Sequence, residues 1–272
     1  MGAKEVINMI KAGVAGALGK MGREVVKAVL NDDKITLVAA IDIHGEGLDI
    51  GLAATGKECN VFVETDIEKA ITEKKPDVII DFTQPVGIYE HVCTYIKHNV
   101  KSVIGTTGLK DEQIANLEKM TKEHNCACLI APNFSTGAVL LMMFAKQAAK
   151  YFDNAEIIEL HHNQKKDAPS GTAIKTAQLM AEANDNFTKG NCSETELIKG
   201  ARGADAVADI HIHSIRMPGY IASQEVIFGS SGQILKLAHH TMERSCYMAG
   251  VLLAVKYVFD NNEFIYGLDN IM

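Results

Sequence analysis

The chain has 272 residues, 47% hydrophobic and 22% charged, enough to bury one large α/β core or two smaller ones and too apolar for a disordered protein. Its net charge is −7, with lysines and arginines scattered along the chain. That excludes a protein that tracks nucleic-acid phosphates, and an anionic ligand would need a local basic pocket.

In chain order, the first residues carry no signal-peptide pattern, and the Met-Gly start lacks Ser or Thr at the sixth position. The longest apolar run, 138–145, is too short to cross a bilayer. A soluble cytoplasmic protein with no membrane contact is expected. From residue 10 the chain repeats a short apolar run, a turn rich in Gly, Thr, Pro or Asn, and a helical pattern. The runs at 10–15, 36–41, 78–81, 102–104 and 127–130 predict parallel strands. Parallel neighbours need crossover helices, which cover both faces of the sheet. Cysteines 59, 93, 126, 128, 192 and 246 form no CxxC pair and read as reduced thiols.

After about residue 135 the alternation changes to a helix over 137–151, a strand over 156–161 and a helix from 172 to about 183. A polar stretch follows, then two extended runs, 208–217 and 223–240, the second turning at Gly-Ser-Ser-Gly. In the first run Ile210, Ile212 and Ser214 alternate with His211, His213 and Ile215, the period of a sheet with two unlike faces. A final helix at about 243–259 needs a host, and the first domain is the expected one. The fold class is therefore α/β: a doubly wound parallel sheet, then an α+β domain with antiparallel or mixed sheet.

The first strand runs into "GALGKMG", where Gly16, Gly19 and Gly22 open a helix. In that context backbone amides and a positive helix end can meet a pyrophosphate. Asp42 closes the second strand at the spacing, ~20 residues on, where a carboxylate accepts from the adenosine ribose. Its charge opposes a 2′-phosphate, and Ile43 and His44 follow in place of an arginine, which favours NADH. Lys20 can still attract a phosphate, so NADPH stays open. The turns "DFTQP" (with Phe82 and Thr83), "GTTG" (Gly105, Thr106, Thr107) and "APNFS" (Ala131, Pro132, Asn133, Phe134) fall on the same predicted edge and are expected to line a nicotinamide channel.

The richest stretch is "ELHHNQKKDAPSGTA", 159–173. Adjacent histidines on an extended segment point to opposite sides, so His161 and His162 are a poor metal pair, and no metal is expected. Imidazoles and the Lys165 ammonium can donate protons or quench an anion, and the amides of Ser170, Gly171 and Thr172, with the Thr172 hydroxyl, open a helix that can hold a carboxylate. The residues alone leave a catalytic pocket and a capped, solvated loop equally open.

"VAGALGKMG", "DFTQP", "VIGTTG", "APNFSTG" and above all "ELHHNQKKDAPSGTA", in this order and spacing, closely resemble the dihydrodipicolinate reductase family, from about Met9 nearly to the C-terminus. The resemblance implies a Rossmann-type domain, 1–134 completed by 241–272, and a substrate-binding and tetramer-forming domain, 135–240. It also implies a homotetramer and NAD(P)H-dependent reduction of the cyclic dicarboxylate made from aspartate semialdehyde and pyruvate, on the route to diaminopimelate and lysine. By motif position His161 and Lys165 are the proton-donating pair, and His162, Gly171 and Thr172 hold substrate carboxylate. Gly16, Ala17, Leu18, Gly19, Lys20 and Met21, with Asp42, Gly105 to Thr107 and Ala131 to Phe134, hold the nucleotide. The chain departs from the family pattern at Ile43, Gln84, Asn163, Gln164, Ala222 and Gln224. The rivals are another amino-acid-precursor dehydrogenase and a Rossmann-type redox sensor that binds NADH without turnover, for which a proton donor such as His161 or Lys165 has no use.

Overall fold

The computed structural model describes residues 9–188 and 192–272, so the expectations for the first eight residues lie outside the described residues. In chain order the elements are β1 (Ile10–Ala15), α1 (Lys20–Leu30), β2 (Ile35–Ile41), α2 (Ile50–Thr55), β3 (Val63–Glu64), α3 (Ile67–Lys74), β4 (Val78–Asp81), α4 (Ile88–Lys97), β5 (Lys101–Ile104), α5 (Asp111–His124) and β6 (Cys128–Ile130). There follow α6 (Thr136–Ala149), β7 (Asn154–His161), α7 (Gly171–Ala183), β8 (Ala204–Val207), β9 (Ile210–Arg216), β10 (Ala222–Ser230), β11 (Gln233–Thr241), α8 (Met248–Asp260) and β12 (Phe264–Tyr266). They form two compact units, one running to Phe134 and taking in Tyr247–Met272, the other Ser135–Cys246.

The first unit is a seven-stranded sheet in the order β12-β6-β5-β4-β1-β2-β3, parallel at every pairing. The predicted apolar runs are its central strands. Successive residues point to opposite faces, and Ile79, Ile80, Val103 and Ile104 are all fully buried, so helices cover both sides. Ile79 and Ile104 pack under α4 and α5 with Tyr95, Ile96 and Leu117. From the C-terminal segment, α8 packs on β5 and α1, and Lys256 pairs with Asp32 at 2.6 Å. Lys101 at the start of β5 donates to the carbonyls of Phe259 (2.6 Å) and Asn261 (3.0 Å), capping α8. Strand order reverses between β1 and β4, which makes that point a topological switch.

The second unit is a five-stranded mixed sheet, order β11-β10-β7-β9-β8, in which only the central pair β7 and β9 is parallel. Ile157, Ile212, Val226 and Phe228 pack with Ala173, Ala177 and Met180 of α7 and Leu141 and Ala145 of α6. The expected two-faced alternation in β9 does not hold: Ile210, His211 and Ile212 are all buried, whereas Ser214 and Ile215 are exposed. The strand is covered on both faces where it starts and open where it ends. Residues 244–247, expected as the first turn of the last helix, form a 3-10 turn instead. β3, β8 and β12 had no sequence signal, being two to four residues long with no alternating burial. Among the described residues no helix is long and apolar enough to cross a membrane.

Candidate active site

The predicted site residues fall into two groups, one in each unit. In the first unit every strand points the same way, so the turns after β1, β2, β4, β5 and β6 all leave one edge of the sheet. The turn after β1 needs its glycines for steric reasons. Gly16 sits at φ 74°, and a Cβ there would lie 2.6 Å from the Phe82 carbonyl oxygen; a Cβ on Gly22 would lie 2.0 Å from the Gly16 carbonyl oxygen. β4 and α1 therefore pack directly on the loop backbone. Gly19 precedes α1 and offers no side-chain cap, leaving the first-turn N–H groups free to meet an anion. Asp42 accepts from the Leu18 N–H at 2.9 Å and the His44 N–H at 3.3 Å, joining the end of β2 to the glycine loop. The side chain of Ile43 is 77% exposed. A loop too close-packed for side chains, an uncapped helix start and a carboxylate on the second strand together fit a dinucleotide.

The next turns are tied together below the surface. Asp81, fully buried, accepts from the Thr83 N–H (2.8 Å), the Thr83 hydroxyl (2.7 Å), the Tyr95 hydroxyl (2.8 Å) and the Thr106 hydroxyl (3.2 Å), and His91 Nδ1 lies 3.3 Å away. Burial and the Asp81 charge push the Tyr95 phenol well above its ordinary value. The Phe82 ring packs on Phe134 at 5.7 Å and covers Gly105, where a Cβ would lie 2.1 Å from the ring. Among these expected contact positions Ala17, Thr106, Ala131 and Phe134 are buried, whereas Lys20, Thr107 and Pro132 are exposed.

In the second unit β7 runs straight into the histidines. Glu159 and His161 share a face of the strand, and Glu159 has no exposed surface. Its carboxylate accepts from Arg216 at both oxygens, Nη2 to Oε1 at 2.7 Å and Nη1 to Oε2 at 2.9 Å, and from the Ser170 N–H at 3.2 Å. His161 Nδ1 lies 2.5 Å from the same Oε2. Burial alone would raise this carboxyl, but the bonds from His161, Arg216 and Ser214 outweigh it and hold it at about 2. Arg216 also donates to the Asp167 carbonyl at 2.8 Å, and the Asp167 carboxylate binds Lys165 Nζ through both oxygens at 2.8 Å. His161 and Lys165 are thus joined through Glu159, Arg216 and Asp167.

Ser170 corrects one expectation. It caps α7 through its hydroxyl, which accepts from the Ala173 N–H at 3.2 Å, and its own N–H is turned to Glu159, so that N–H is not available to a ligand. The N–H groups of Gly171 and Thr172, at the first helical positions, stay outside the cap. Nothing lies within 4 Å of a Cβ built on Gly171. His162 is exposed, and its Nδ1 accepts from the Gln164 N–H at 3.2 Å. Glu159 and Arg216 carried no functional reading in the sequence. Glu159 has a local signal, two residues before His161 on a strand, whereas Arg216 comes from another strand and has none. Among the described residues no group of three His, Cys, Asp or Glu side chains is placed to hold a metal.

Two family profiles match the chain: "Dihydrodipicolinate reductase, N-terminus" over residues 10–134 and "Dihydrodipicolinate reductase, C-terminus" over 137–272. A 4-hydroxy-tetrahydrodipicolinate reductase from Gloeothece citriformis is 48% identical over 265 residues, 95% of this chain and 96% of that protein. Its counterpart from Thermosynechococcus vestitus is 49% identical over 263 residues, 95% of each chain. Among solved structures, a dipicolinate-bound dihydrodipicolinate reductase from Paenisporosarcina sp. TG-14 superposes with a TM-score of 0.87 at 43% identity, covering 97% of this chain and 100% of that one. An amine dehydrogenase from Mycobacterium smegmatis, 15% identical with a TM-score of 0.66, shares the fold.

Proposed function

The chain belongs to the dihydrodipicolinate reductase family, and on that premise we infer how its own residues carry out the NAD(P)H-dependent reduction of 4-hydroxy-tetrahydrodipicolinate to tetrahydrodipicolinate. The observation that carries the reading is the cluster at the end of β7, two potential proton donors held close to a helix start with free amides.

Loss of the 4-hydroxyl as water leaves a ring in which the C=C and C=N bonds are conjugated, and that ring accepts the hydride that a bound nicotinamide would supply. Negative charge then builds toward the ring nitrogen, and protonated His161 or Lys165 quenches it there by giving a proton. The N–H groups of Gly171 and Thr172, the Thr172 hydroxyl and His162 hold substrate carboxylate at the positive end of α7. Two carboxylates on the substrate explain why a chain of net charge −7 gathers Lys165, Arg216 and two histidines in one place. Pairing of Arg216 with the buried Glu159 keeps that cation in a fixed position, so little reorganisation is needed there when charge develops, whereas Lys165 is tied only to the exposed Asp167.

In the first unit, the backbone from Gly16 to Met21 holds the pyrophosphate and Asp42 the adenosine ribose. Phe82, Thr83, Gly105 to Thr107 and Ala131 to Phe134 line the nicotinamide. NADH is the preferred cofactor, because Asp42 opposes a 2′-phosphate and the exposed Ile43 offers no cation to offset it. The chain acts in the cytoplasm as a homotetramer, a reading supported by its family and by exposed Ile234 and Leu235 on β11.

The test follows absorbance of the reduced nicotinamide when purified protein meets NADH or NADPH and the freshly formed condensation product of pyruvate and aspartate semialdehyde. Loss of absorbance, faster with NADH, is expected. No loss with either cofactor overturns the activity, and a clear preference for NADPH overturns the argument from Ile43.

A further inference from the structure

A carboxylate with no exposed surface that still carries its charge is unusual, because burying an unpaired charge is costly. Glu159 meets that cost with bonds at both oxygens: the Arg216 fork, the Ser170 N–H and the His161 ring. The Arg216 fork and the Ser170 N–H are donors whatever the pH. The His161 bond depends on which nitrogen of the ring carries the proton.

An ionised carboxylate can only accept. Nδ1 of His161, 2.5 Å from Oε2, must therefore be the donor, in the neutral ring as well as in the charged one. Nε2 is then the nitrogen that gains and loses the titrating proton. We propose that Glu159 is a positioning residue for His161: its carboxylate, anchored by Arg216, takes the Nδ1–H bond and so fixes Nε2 as the atom that gives a proton to the substrate. This rests on the reading of His161 as a proton donor.

Arg216 is needed because a lone glutamate could rotate away from the ring. The two-point fork holds the carboxylate plane, and a further bond of the guanidinium, from Nη2 to the Asp167 carbonyl at 2.8 Å, ties that plane to the loop that carries Lys165. The charged groups facing His161 are Glu159 from its own strand, Arg216 opposite it on β9, and Lys165 and Asp167 from the following loop; its β10 partner, Ala222, is neutral. Glu159 cancels Arg216 and Asp167 cancels Lys165, so a protonated His161 is the one net charge of this set. Removing the Glu159 charge leaves Arg216 uncompensated beside the ring and disfavours its charged form.

Two measurements test this. The first is nitrogen NMR of the native protein with labelled histidine, at a pH where His161 is neutral, with the signal assigned by its loss in His161→Ala. A proton on Nδ1 is expected; a proton on Nε2 overturns the proposal. The second is the pH profile of turnover in Glu159→Gln. Turnover should fall by about 10–100-fold, and the pH above which it declines should move down by about one unit or more, while NADH binding stays as in the native protein. Native turnover and an unmoved profile overturn the proposal. A glutamine amide turns a donor toward Arg216, so folding of this variant is checked by circular dichroism, and if it does not fold the tautomer measurement decides. His161→Ala is assayed in parallel. If it keeps full turnover, the reading of His161 itself is wrong; if it loses turnover while Glu159→Gln does not, only the positioning role fails.

Discussion

At the residue scale, His161 and Lys165 each sit beside a carboxylate, but their partners differ in surroundings. Glu159 is buried and ionised, whereas the Asp167 side chain is 61% exposed. Opening the Lys165 pair is therefore cheap, as for surface ion pairs generally, and the ammonium can turn to a substrate carboxylate or ring nitrogen. His161→Ala and Lys165→Ala are each expected to lower turnover by ~10²-fold or more and to leave NADH binding nearly unchanged by fluorescence titration. A variant with full turnover removes that residue from the mechanism. Glu159 also predicts an acid limit to stability. Its folded-state value, about 2, lies below the unfolded glutamate value of roughly 4.3. The stabilisation is thus complete above the unfolded value and is lost as pH falls through the window toward 2. Urea midpoints should drop steeply across that window in the native protein and less steeply in Glu159→Gln.

At the scale of elements, Asp81 fastens the turn after β4 to the turn after β5. Asp81→Asn keeps the shape of the side chain but turns donors toward hydroxyls that now donate to it. The KM for NADH should rise several-fold and more than kcat falls, since the displaced loops are those proposed to hold the nicotinamide. An unchanged KM would mean that the network serves folding alone. Lys101 predicts a different effect: Lys101→Met removes both bonds to the end of α8, and a thermal melt should show a loss of about 1–3 kcal/mol with no change in cofactor KM. Much of this was legible beforehand. The glycine turn, Asp42 and the central strands announce themselves through local spacing, and the resemblance gave "HHNQKKDAPSGT" a meaning that the residues alone left open. What could not be read is what depends on register between distant strands. Arg216 lies 57 residues from Glu159, and only the pairing of His161 with Arg216 across β7 and β9 brings it to the site. The partner of the Ser170 N–H, Glu159, could not be read for the same reason, because it is set by tertiary packing.

For the whole molecule, the proposed homotetramer predicts that light scattering will give about four times the 29.5 kDa chain mass. Ile234→Asp, at an exposed apolar position on β11, should shift that mass downward if this strand lies in the interface. A native protein that is already monomeric would remove the assembly from the reading. Return of the chain to its first unit has a further consequence. The sheet begun at Ile10 gains its last strand, Phe264–Tyr266, only after the entire second unit has been made, and Lys101 waits for carbonyls 158 and 160 residues away. During synthesis the segment up to Phe134 leaves the ribosome with the β6 edge unpaired, while Ser135–Cys246 can already be folding. Of the two units, the one begun first is completed last, and a product cut short after the second unit would leave the first with an open edge, exposed to proteolysis.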